Sequence, residues 1–335
     1  MQSSNVHRVG GREGIPGRIC FCPRARRPGV RWRPLARTAG FISLMLVLLV
    51  GGVNSHAAAS LVEHVVVIGC DGMGSVAFGA TNLPNLRQLI RTGASTLHAR
   101  GVMPTSSSPN WASMIMGAGP EQHGVTSNDW QPHKFEFPPT ALGSGGIFPT
   151  IFGELRAQRP RSVIVCVHDW DGFGRLLEPR APDVLQHVKG SAATAERAIE
   201  LLRERRPQLT FIHFDDVDHA GHTFGWKSFE YFQAVEAVDQ LIGRVLAALE
   251  STRLRERTVI LVTADHGGTG KGHGGLSMDE LEIPWILNGP GVVAGREMRS
   301  PVNTFDTAPT LARIFGLRVP DCWIGRAVAE ALVFP

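Results

Sequence analysis

Short apolar runs alternate with longer amphipathic stretches along most of the chain. The apolar runs are rich in β-branched and aromatic residues and predict buried strands at 64–70, 161–167, 209–214, 258–264 and 283–287. The amphipathic stretches predict helices at 82–90, 149–158, 192–206, 227–251 and 306–315. This alternation of strands and helices predicts an α/β fold with a parallel sheet.

Polar clusters interrupt the apolar pattern where predicted strands end. Asp71 directly follows the first strand, FDDVDHAGHTFGW spans 214–226, and TADHGGTGKGHGG spans 263–275. A fourth cluster lies in MPTSSSPNWASMIMGAGPEQHGV, 103–125. Ligands of open α/β sheets bind at the carboxyl ends of the strands, so we expect these clusters to form one site.

The serine-rich part of the fourth cluster predicts a helix start. Ser108 is the expected N-cap, Pro109 the first helical residue, and Trp111–Met116 a short buried helix that Gly117 ends. Ser107 would then face the N-terminus of a helix.

Charge is distributed unevenly along the 335 residues. The net charge of +4 includes +8 from residues 1–60, which hold nine Arg, no Lys and one Glu, so residues 61–335 carry −4. Because the excess positive charge is confined to residues 1–60, no nucleic-acid partner is predicted. We find no repeat or low-complexity linker, and residues 60–335 are predicted to form a single catalytic domain.

The first 59 residues are typical of a basic leader with a signal peptide. An Arg-rich stretch precedes an apolar run over 41–50 and small residues, with cleavage expected near Ala57–Ala59. The alternative is an uncleaved membrane anchor; after cleavage, no stable membrane span is expected. The protein is therefore expected to be secreted or periplasmic. Cys70, Cys166 and Cys322 remain, enough for one disulfide at most.

The polar clusters together supply three Asp and three His with the chemistry of metal ligands: Asp71, Asp218, His222, Asp265, His266 and His273. Six ligands are enough for two catalytic sites of three ligands each. Mixed imidazole and carboxylate ligands favour Zn, with Mn or Fe as alternatives. Two such ions about 3.5–4 Å apart could hold the attacking and leaving oxygens of an in-line phosphoryl transfer.

Ser107 is the predicted nucleophile, because the helix that follows it would offer free N–H groups to a developing oxyanion. Asn110 and Asn128 are both candidates for donating an amide hydrogen bond to the phosphoryl group. Asp215 or Asp216 is expected to support a metal ligand, whereas His219 is excluded from the ligand set. His123 and Trp111 are expected to be structural, and Asp306 to cap its helix.

Each of these residues also has a simpler explanation. Asp71 could form a turn, and the serines around Ser107 could only cap a helix. Asp218 with His222 could be a solvated pair at a helix start, and Asp265-His266 a loop entry. Their joint occurrence at strand ends favours the functional interpretation.

At this point the chain resembles the alkaline phosphatase superfamily, and within it the nucleotide pyrophosphatase/phosphodiesterase branch. The matching segments occur in the order of that family: the strand with Asp71-Gly72, PTSSSPNWASMIMGAGPEQHGV, VDHAGH, TADHGG and GHGG. The closing stretch FDTAPTLARIFGLRVPDCWIG is also similar. The likeness covers 65–325 and implies a three-layer α/β/α sandwich with a mostly parallel central sheet.

The resemblance also implies a role for each residue. One metal would be held by Asp71, Asp265 and His266, and a second by Asp218, His222 and His273. Ser107 stands where the branch has its Thr or Ser nucleophile, two residues before Pro109. Asn128 stands where the branch has its phosphoryl-contacting Asn, and is therefore preferred to Asn110.

Two departures from the branch bear on the substrate. Ser107 replaces the commoner Thr, which leaves the preference for monoesters or diesters open. Trp111 stands where the branch often has His and where a sulfatase would have Arg, so sulfate esters are not expected. The leaving group is expected to be read by 126–147 and 168–182, whose rings Trp130, Trp170 and Phe173 could stack on a nucleobase or belong to the core.

The sequence thus predicts a secreted two-metal hydrolase of small-molecule phosphodiesters or phosphoanhydrides that acts through a phosphoseryl intermediate. The alternatives are a phosphomonoesterase of the same superfamily and a catalytically silent metal-binding module.

Overall fold

A computed structural model describes residues 62–333 and contains an eight-stranded sheet. Its strands are β1 His64–Cys70, β2 Ala94–Arg100, β3 Ile164–His168, β4 Val184–His187, β5 Leu209–Phe214, β6 Thr258–Thr263, β7 Glu282–Asn288 and β8 Arg296–Glu297. The strand order is β4-β3-β5-β1-β6-β7-β2-β8. The sheet is mixed but mostly parallel, because the five strands from β4 to β6 run in one direction.

Helices flank the sheet and form an α/β/α sandwich. They are α1 Ala77–Ala80, α2 Pro84–Thr92, α3 Ser107–Met116, α4 Pro120–His123, α5 Ile151–Gln158, α6 Ser191–Arg205, α7 Asp216–Phe224, α8 Phe229–Ser251, α9 Met278–Leu281 and α10 Thr307–Phe315. One group packs around α8 and includes α2, α6 and α7, whereas α3, α5 and α10 pack against one another. The predicted fold class is confirmed.

The central strands explain why the predicted apolar runs are unbroken. β1 lies between β5 and β6, and every residue of these three strands is buried. A parallel strand covered by helices on both faces has no solvent side, so it is apolar at each position instead of alternating. Strand β2 and the short edge strands β4 and β8 were not predicted.

The serine-rich helix begins earlier than the sequence indicated. Ser106 occupies the N-cap position and α3 already starts at Ser107, so the assignment of Ser108 as N-cap was wrong. Pro109 is the third helical residue, where its missing N–H costs nothing because the first N–H groups of a helix have no partner within the helix. Gly117 ends α3, as predicted, and it adopts the left-handed conformation.

Several predictions concern residues that are not described. The basic leader and signal peptide over 1–59, its cleavage and the alternative of a membrane anchor lie outside residues 62–333. The single domain over 60–335 stays a prediction. Within the described part, none of the helices has the length and apolarity needed to cross a bilayer, and Cys70, Cys166 and Cys322 are all unpaired.

Candidate metal centre

The three central strands deliver three carboxylates to one edge of the sheet. Asp71 directly follows β1, Asp265 follows β6, and Asp218 lies in the first turn of α7, just after β5. Because β5, β1 and β6 are neighbours and parallel, their carboxyl ends meet. Asp71 and Asp265 are buried, and the side chain of Asp218 is 13% exposed.

Gly72 allows two of these carboxylates to approach each other. Its φ of +70° is unfavourable for other residues, and an added Cβ would lie 2.8 Å from the Cα of Asp218. Its N–H donates to Asp265 Oδ1 at 3.2 Å. Only glycine is therefore compatible with the packing of position 72 against the first turn of α7.

Backbone carbonyls orient the three histidines. The Nδ1 atoms of His222, His266 and His273 lie 3.0, 2.8 and 2.9 Å from the carbonyl oxygens of Lys271, Gly267 and Thr105 respectively. Nδ1 must carry the proton to donate to a carbonyl, which leaves each Nε2 lone pair free. Metal-binding histidines are usually held in this way by a second acceptor.

The free ring nitrogens and the carboxylates converge. Asp218, His222 and His273 have ligand atoms within 4.8 Å of one another, as do Asp71, Asp218 and His266. His266 Nε2 also lies 3.1 Å from Asp265 Oδ2 and 3.4 Å from Asp71 Oδ1. All six predicted ligands are thus brought together, with Asp218 between the two sets.

The burial of so many acids in one place perturbs their ionisation. Burial, with the charges of Asp71 and Asp218, raises the pKa of Asp265 well above its usual value. Burial and nearby carboxylates likewise raise the pKa of Asp218. Burial alone would also raise the pKa of Asp71, but the hydrogen bond with His213 and the proximity of His266 lower it to about 2. Burial lowers the pKa of His266 to about 4, so its ring is neutral at neutral pH.

These groups fit divalent cations. Asp71 Oδ1, Asp218 Oδ1 and Asp265 Oδ2 are buried oxygens without a hydrogen-bond partner. An unpaired buried carboxylate oxygen is costly, and three carboxylates this close cannot all be ionised unless a cation lies between them. Neutral imidazoles and carboxylates are ligands that Zn, Mn and Fe accept.

Ser107 lies beside this cluster. The residue is buried at the first position of α3, and its Oγ is 3.3 Å from His266 Nε2. Asn128 accepts a hydrogen bond from the N–H of Ser108 through Oδ1 at 2.8 Å, which fixes its amide next to Ser107. Asn110 instead uses both ends of its amide for backbone atoms of 102–106.

A sequence model of the family described as type I phosphodiesterase / nucleotide pyrophosphatase matches residues 65–281. The chain belongs to this family. All six residues of the candidate metal centre, and Ser107 and Asn128, lie within the matched part.

The curated relatives that the chain matches are longer than the chain. Human ectonucleotide pyrophosphatase/phosphodiesterase family member 1 is 25% identical over 194 residues, which cover 55% of this chain and 21% of the relative. Human bis(5'-adenosyl)-triphosphatase ENPP4 is 24% identical over 243 residues, 68% of this chain and 52% of the relative. Rat steryl-sulfatase is 30% identical over 152 residues, which cover 38% and 26% of the two chains. The chain thus spans about a fifth to a half of the length of these relatives.

Solved structures share the fold. Murine ectonucleotide pyrophosphatase/phosphodiesterase 5, solved as an inactive form in complex with AMP, superposes with a TM-score of 0.64 at 14% identity and covers 77% of this chain and 96% of its own. The phosphonate monoester hydrolase SpPMH from Silicibacter pomeroyi has a TM-score of 0.58 at 16% identity, with coverage of 80% and 76%. At these identities the likeness concerns the fold alone.

The supporting residues differ in part from expectation. Asp215 is close to Asp71 and His213, and burial and the charge of Asp71 raise its pKa to about 7. His219 is exposed, and Asp216 accepts a hydrogen bond from the N–H of Ser191. Asp306 stands at the N-cap of α10, but its carboxylate accepts from the N–H groups of Asn303 and Arg326 and not from α10.

The aromatic residues expected at the leaving group separate into two kinds. Trp130 and Phe173 are 4% and 0% exposed and belong to the core. Trp170 is half-buried, and the guanidinium of Arg175 lies 5.5 Å from the centre of its ring. Only Trp170 of these three rings is accessible for stacking.

Sequence reasoning missed the groups that act through the backbone. Thr105 holds the His273 loop, since its hydroxyl donates to Gly275 O and accepts from Gly274 N. Trp226 and Tyr231 both donate to the carbonyl of Gly72, at 3.0 and 3.2 Å. No pattern in the sequence reveals these contacts, because they join segments more than 150 residues apart.

Proposed function

We propose that the chain is a two-metal hydrolase of phosphodiester or phosphoanhydride bonds that acts through a covalent phosphoseryl intermediate on Ser107. One observation carries this proposal: Ser107 Oγ lies 3.3 Å from His266 Nε2, and His266 contacts two buried carboxylate oxygens, Asp71 Oδ1 and Asp265 Oδ2, that have no hydrogen-bond partner. The family match and the relatives described as pyrophosphatases and phosphodiesterases support the reaction class.

In this proposal Asp71, Asp265 and His266 hold one ion, and Asp218, His222 and His273 hold the other. Zn is the expected metal, with Mn or Fe as alternatives. When bound, two such ions lower the pKa of a coordinated hydroxyl and neutralise charge on the attacking and leaving oxygens. The first set is buried, whereas the side chain of His222 is 45% exposed, so substrate would enter from the side of the second set.

The chain's own residues would carry the bond changes. Ser107 releases its hydroxyl proton to solvent as Oγ forms a bond to phosphorus. The leaving oxygen departs with the electron pair of the broken P–O bond and takes up a proton from solvent. The N-terminus of α3 faces the phosphoryl oxygens with its positive dipole end. Asn128 donates from Nδ2, because its Oδ1 is already engaged by Ser108 N. A water molecule then displaces Ser107 by the same in-line route and regenerates its hydroxyl.

Small-molecule phosphate esters, including nucleotides, are the proposed substrates, and no nucleic-acid partner is expected. Relatives described as ectonucleotide enzymes support the proposal that the protein is secreted or periplasmic. The leader over 1–59 is the remaining support for export and for the absence of a membrane span after cleavage.

Substitution of Ser107 tests the mechanism. In Ser107→Ala we expect turnover of an aryl phosphodiester to fall by more than about 1000-fold while the metal content is unchanged, since the nucleophile is lost but no ligand is. Ser108→Ala is the matched control, because the neighbouring hydroxyl is buried without a hydrogen-bond partner. It should keep wild-type turnover.

The same assay separates the alternatives. Faster hydrolysis of an aryl phosphomonoester than of the paired diester would favour a phosphomonoesterase. If the zinc-loaded wild type hydrolysed neither, the chain would be a silent metal-binding module. Full activity of Ser107→Ala would contradict the phosphoseryl mechanism.

A further inference from the structure

Trp111 occupies a site that the first strand leaves open for it. Its indole is fully buried, and an added Cβ on Gly69 would lie 2.5 Å from the Cη2 atom of that ring. Phe173, Phe211 and His213 surround the ring, with centroid distances of 5.7, 6.1 and 4.8 Å. No larger residue than glycine fits at position 69 while the indole keeps this orientation.

That orientation aims the indole N–H at a candidate metal ligand. Trp111 Nε1 donates to Asp71 Oδ2 at 2.9 Å, and His213 Nε2 lies 3.1 Å from the same oxygen. The other oxygen, Asp71 Oδ1, is buried without a hydrogen-bond partner and faces His266 Nε2 at 3.4 Å. The two oxygens of the Asp71 carboxylate therefore differ: Oδ2 takes part in hydrogen bonds with Trp111 and His213, whereas Oδ1 has no hydrogen-bond partner.

We propose that Trp111 is a positioning residue for the metal centre: with His213 it occupies Oδ2 of Asp71, so that Oδ1 alone is presented to the cation. This inference rests on the proposed function only in taking Asp71 as a metal ligand. The indole N–H has no charge, so it orients the carboxylate without competing with a cation for it. A guanidinium at position 111 would compete, because it is itself a cation.

Trp111→Phe removes the N–H and keeps an aromatic ring. The change should weaken metal binding by about 10-fold or more, because groups that orient a ligand typically contribute 10–100-fold to metal affinity. Affinity is measured by competition of zinc with a chromophoric chelator, which requires no catalytic activity. In the cobalt-substituted protein, the visible absorption bands should also shift, since they report the geometry of the ligands.

Trp285→Phe is the matched control. Trp285 is also fully buried and donates its indole N–H to a neutral group, Thr307 Oγ1, at 3.1 Å. Both variants lose one buried hydrogen bond and the same volume, so a general loss of stability affects both. Only Trp111→Phe should change zinc affinity and the cobalt spectrum.

A second variant tests the role of Gly69. Gly69→Ala should displace the indole and weaken zinc binding in the same way as Trp111→Phe. In the double variant the added methyl group has room, because phenylalanine lacks the ring atoms that lie closest to Gly69. The double variant should therefore bind zinc no more weakly than Trp111→Phe alone.

The outcomes distinguish this inference from the proposed function. If the wild type binds zinc but Trp111→Phe and Trp285→Phe have the same affinity and cobalt spectrum, the positioning role is wrong. Additive losses in the double variant would also contradict it. If the wild type binds neither zinc nor cobalt, the metal centre itself fails, and the proposed function fails with it.

Discussion

Asn110 and Asn128 carry the same amide, but their surroundings give them different tasks. Asn110 is fully buried, and its Nδ2 donates to the carbonyls of Val102, Pro104 and Ser106. Its Oδ1 accepts from Val102 N at 2.6 Å. Asn128 is exposed and has one described amide contact, through Oδ1. Of the two, only Asn128 has a side-chain NH2 group without a described acceptor, which is why it is the proposed donor to substrate.

Alanine at the two positions should separate stability from catalysis. Asn110→Ala leaves several buried backbone groups unpaired and should lower the free energy of unfolding by about 2–4 kcal/mol. Asn128→Ala should leave that quantity within about 0.5 kcal/mol but lower kcat about 100- to 1000-fold, as loss of an oxyanion donor does. Urea denaturation and diester hydrolysis give the two values. Equal kcat in Asn128→Ala and wild type would remove Asn128 from the proposed site.

Residue types and their order were sufficient to predict which side chains meet. Asp71, Asp218 and Asp265 each follow an apolar run, so the rule for parallel sheets places them at one edge. The sequence could not show that Asp218 lies between the two ligand sets, since that depends on the start of α7 and on Gly72. It also could not show that Trp111 contacts Asp71, because residues 40 positions apart have no common periodicity.

Helix α2 shows how an element can depend on a distant one. The helix predicted from residue 82 begins at Pro84, and its N-cap, Leu83, makes no side-chain hydrogen bond. Asp239, in the middle of α8, accepts from the backbone N–H groups of Asn85 and Leu86 instead. A cap supplied from about 150 residues away cannot be found by local patterns. The apolar stripes predicted both helices, but not this link between them.

Removal of that carboxylate should loosen α2. Asp239→Ala leaves two backbone donors of α2 without their acceptor and removes one of the two acceptors of the Asn85 side-chain amide. We expect a loss of about 2–3 kcal/mol in the free energy of unfolding. Glu236→Ala, one turn earlier on α8, removes an exposed acceptor of Asn82 N and should cost less than about 0.5 kcal/mol. Urea denaturation compares them, and equal losses would show that the cap adds no stability.

At the scale of the whole molecule, the carboxylates of the candidate metal centre destabilise the fold that brings them together. Three carboxylates are gathered at the ends of the strands that form the middle of the sheet, where burial raises the pKa of Asp218 and Asp265. Their mutual repulsion is a cost of folding in the absence of a cation. A bound cation converts this cost into stability, because it binds the folded chain and not the unfolded one.

The effect of one charge-neutralising substitution on the melting temperature should therefore have opposite signs with and without metal. In excess chelator, Asp265→Asn should melt at a higher temperature than the wild type, by about 2–4 °C for each kcal/mol of repulsion relieved. With saturating zinc the order should reverse, since the variant lacks a ligand oxygen while the wild type is stabilised. The amide can still accept the hydrogen bond from Gly72 N. Asp321→Asn, at an exposed turn, should match the wild type in both conditions.

Melting curves with chelator and with zinc decide between two views of the carboxylates. If they serve only to join strand ends through hydrogen bonds, Asp265→Asn destabilises the protein in both conditions and zinc has no effect on the wild type. If they are metal ligands that repel one another until a cation binds, the order of the melting temperatures of the variant and the wild type reverses between the two conditions. Such a reversal cannot arise from a general loss of packing, because that loss would lower the melting temperature of the variant both with and without zinc.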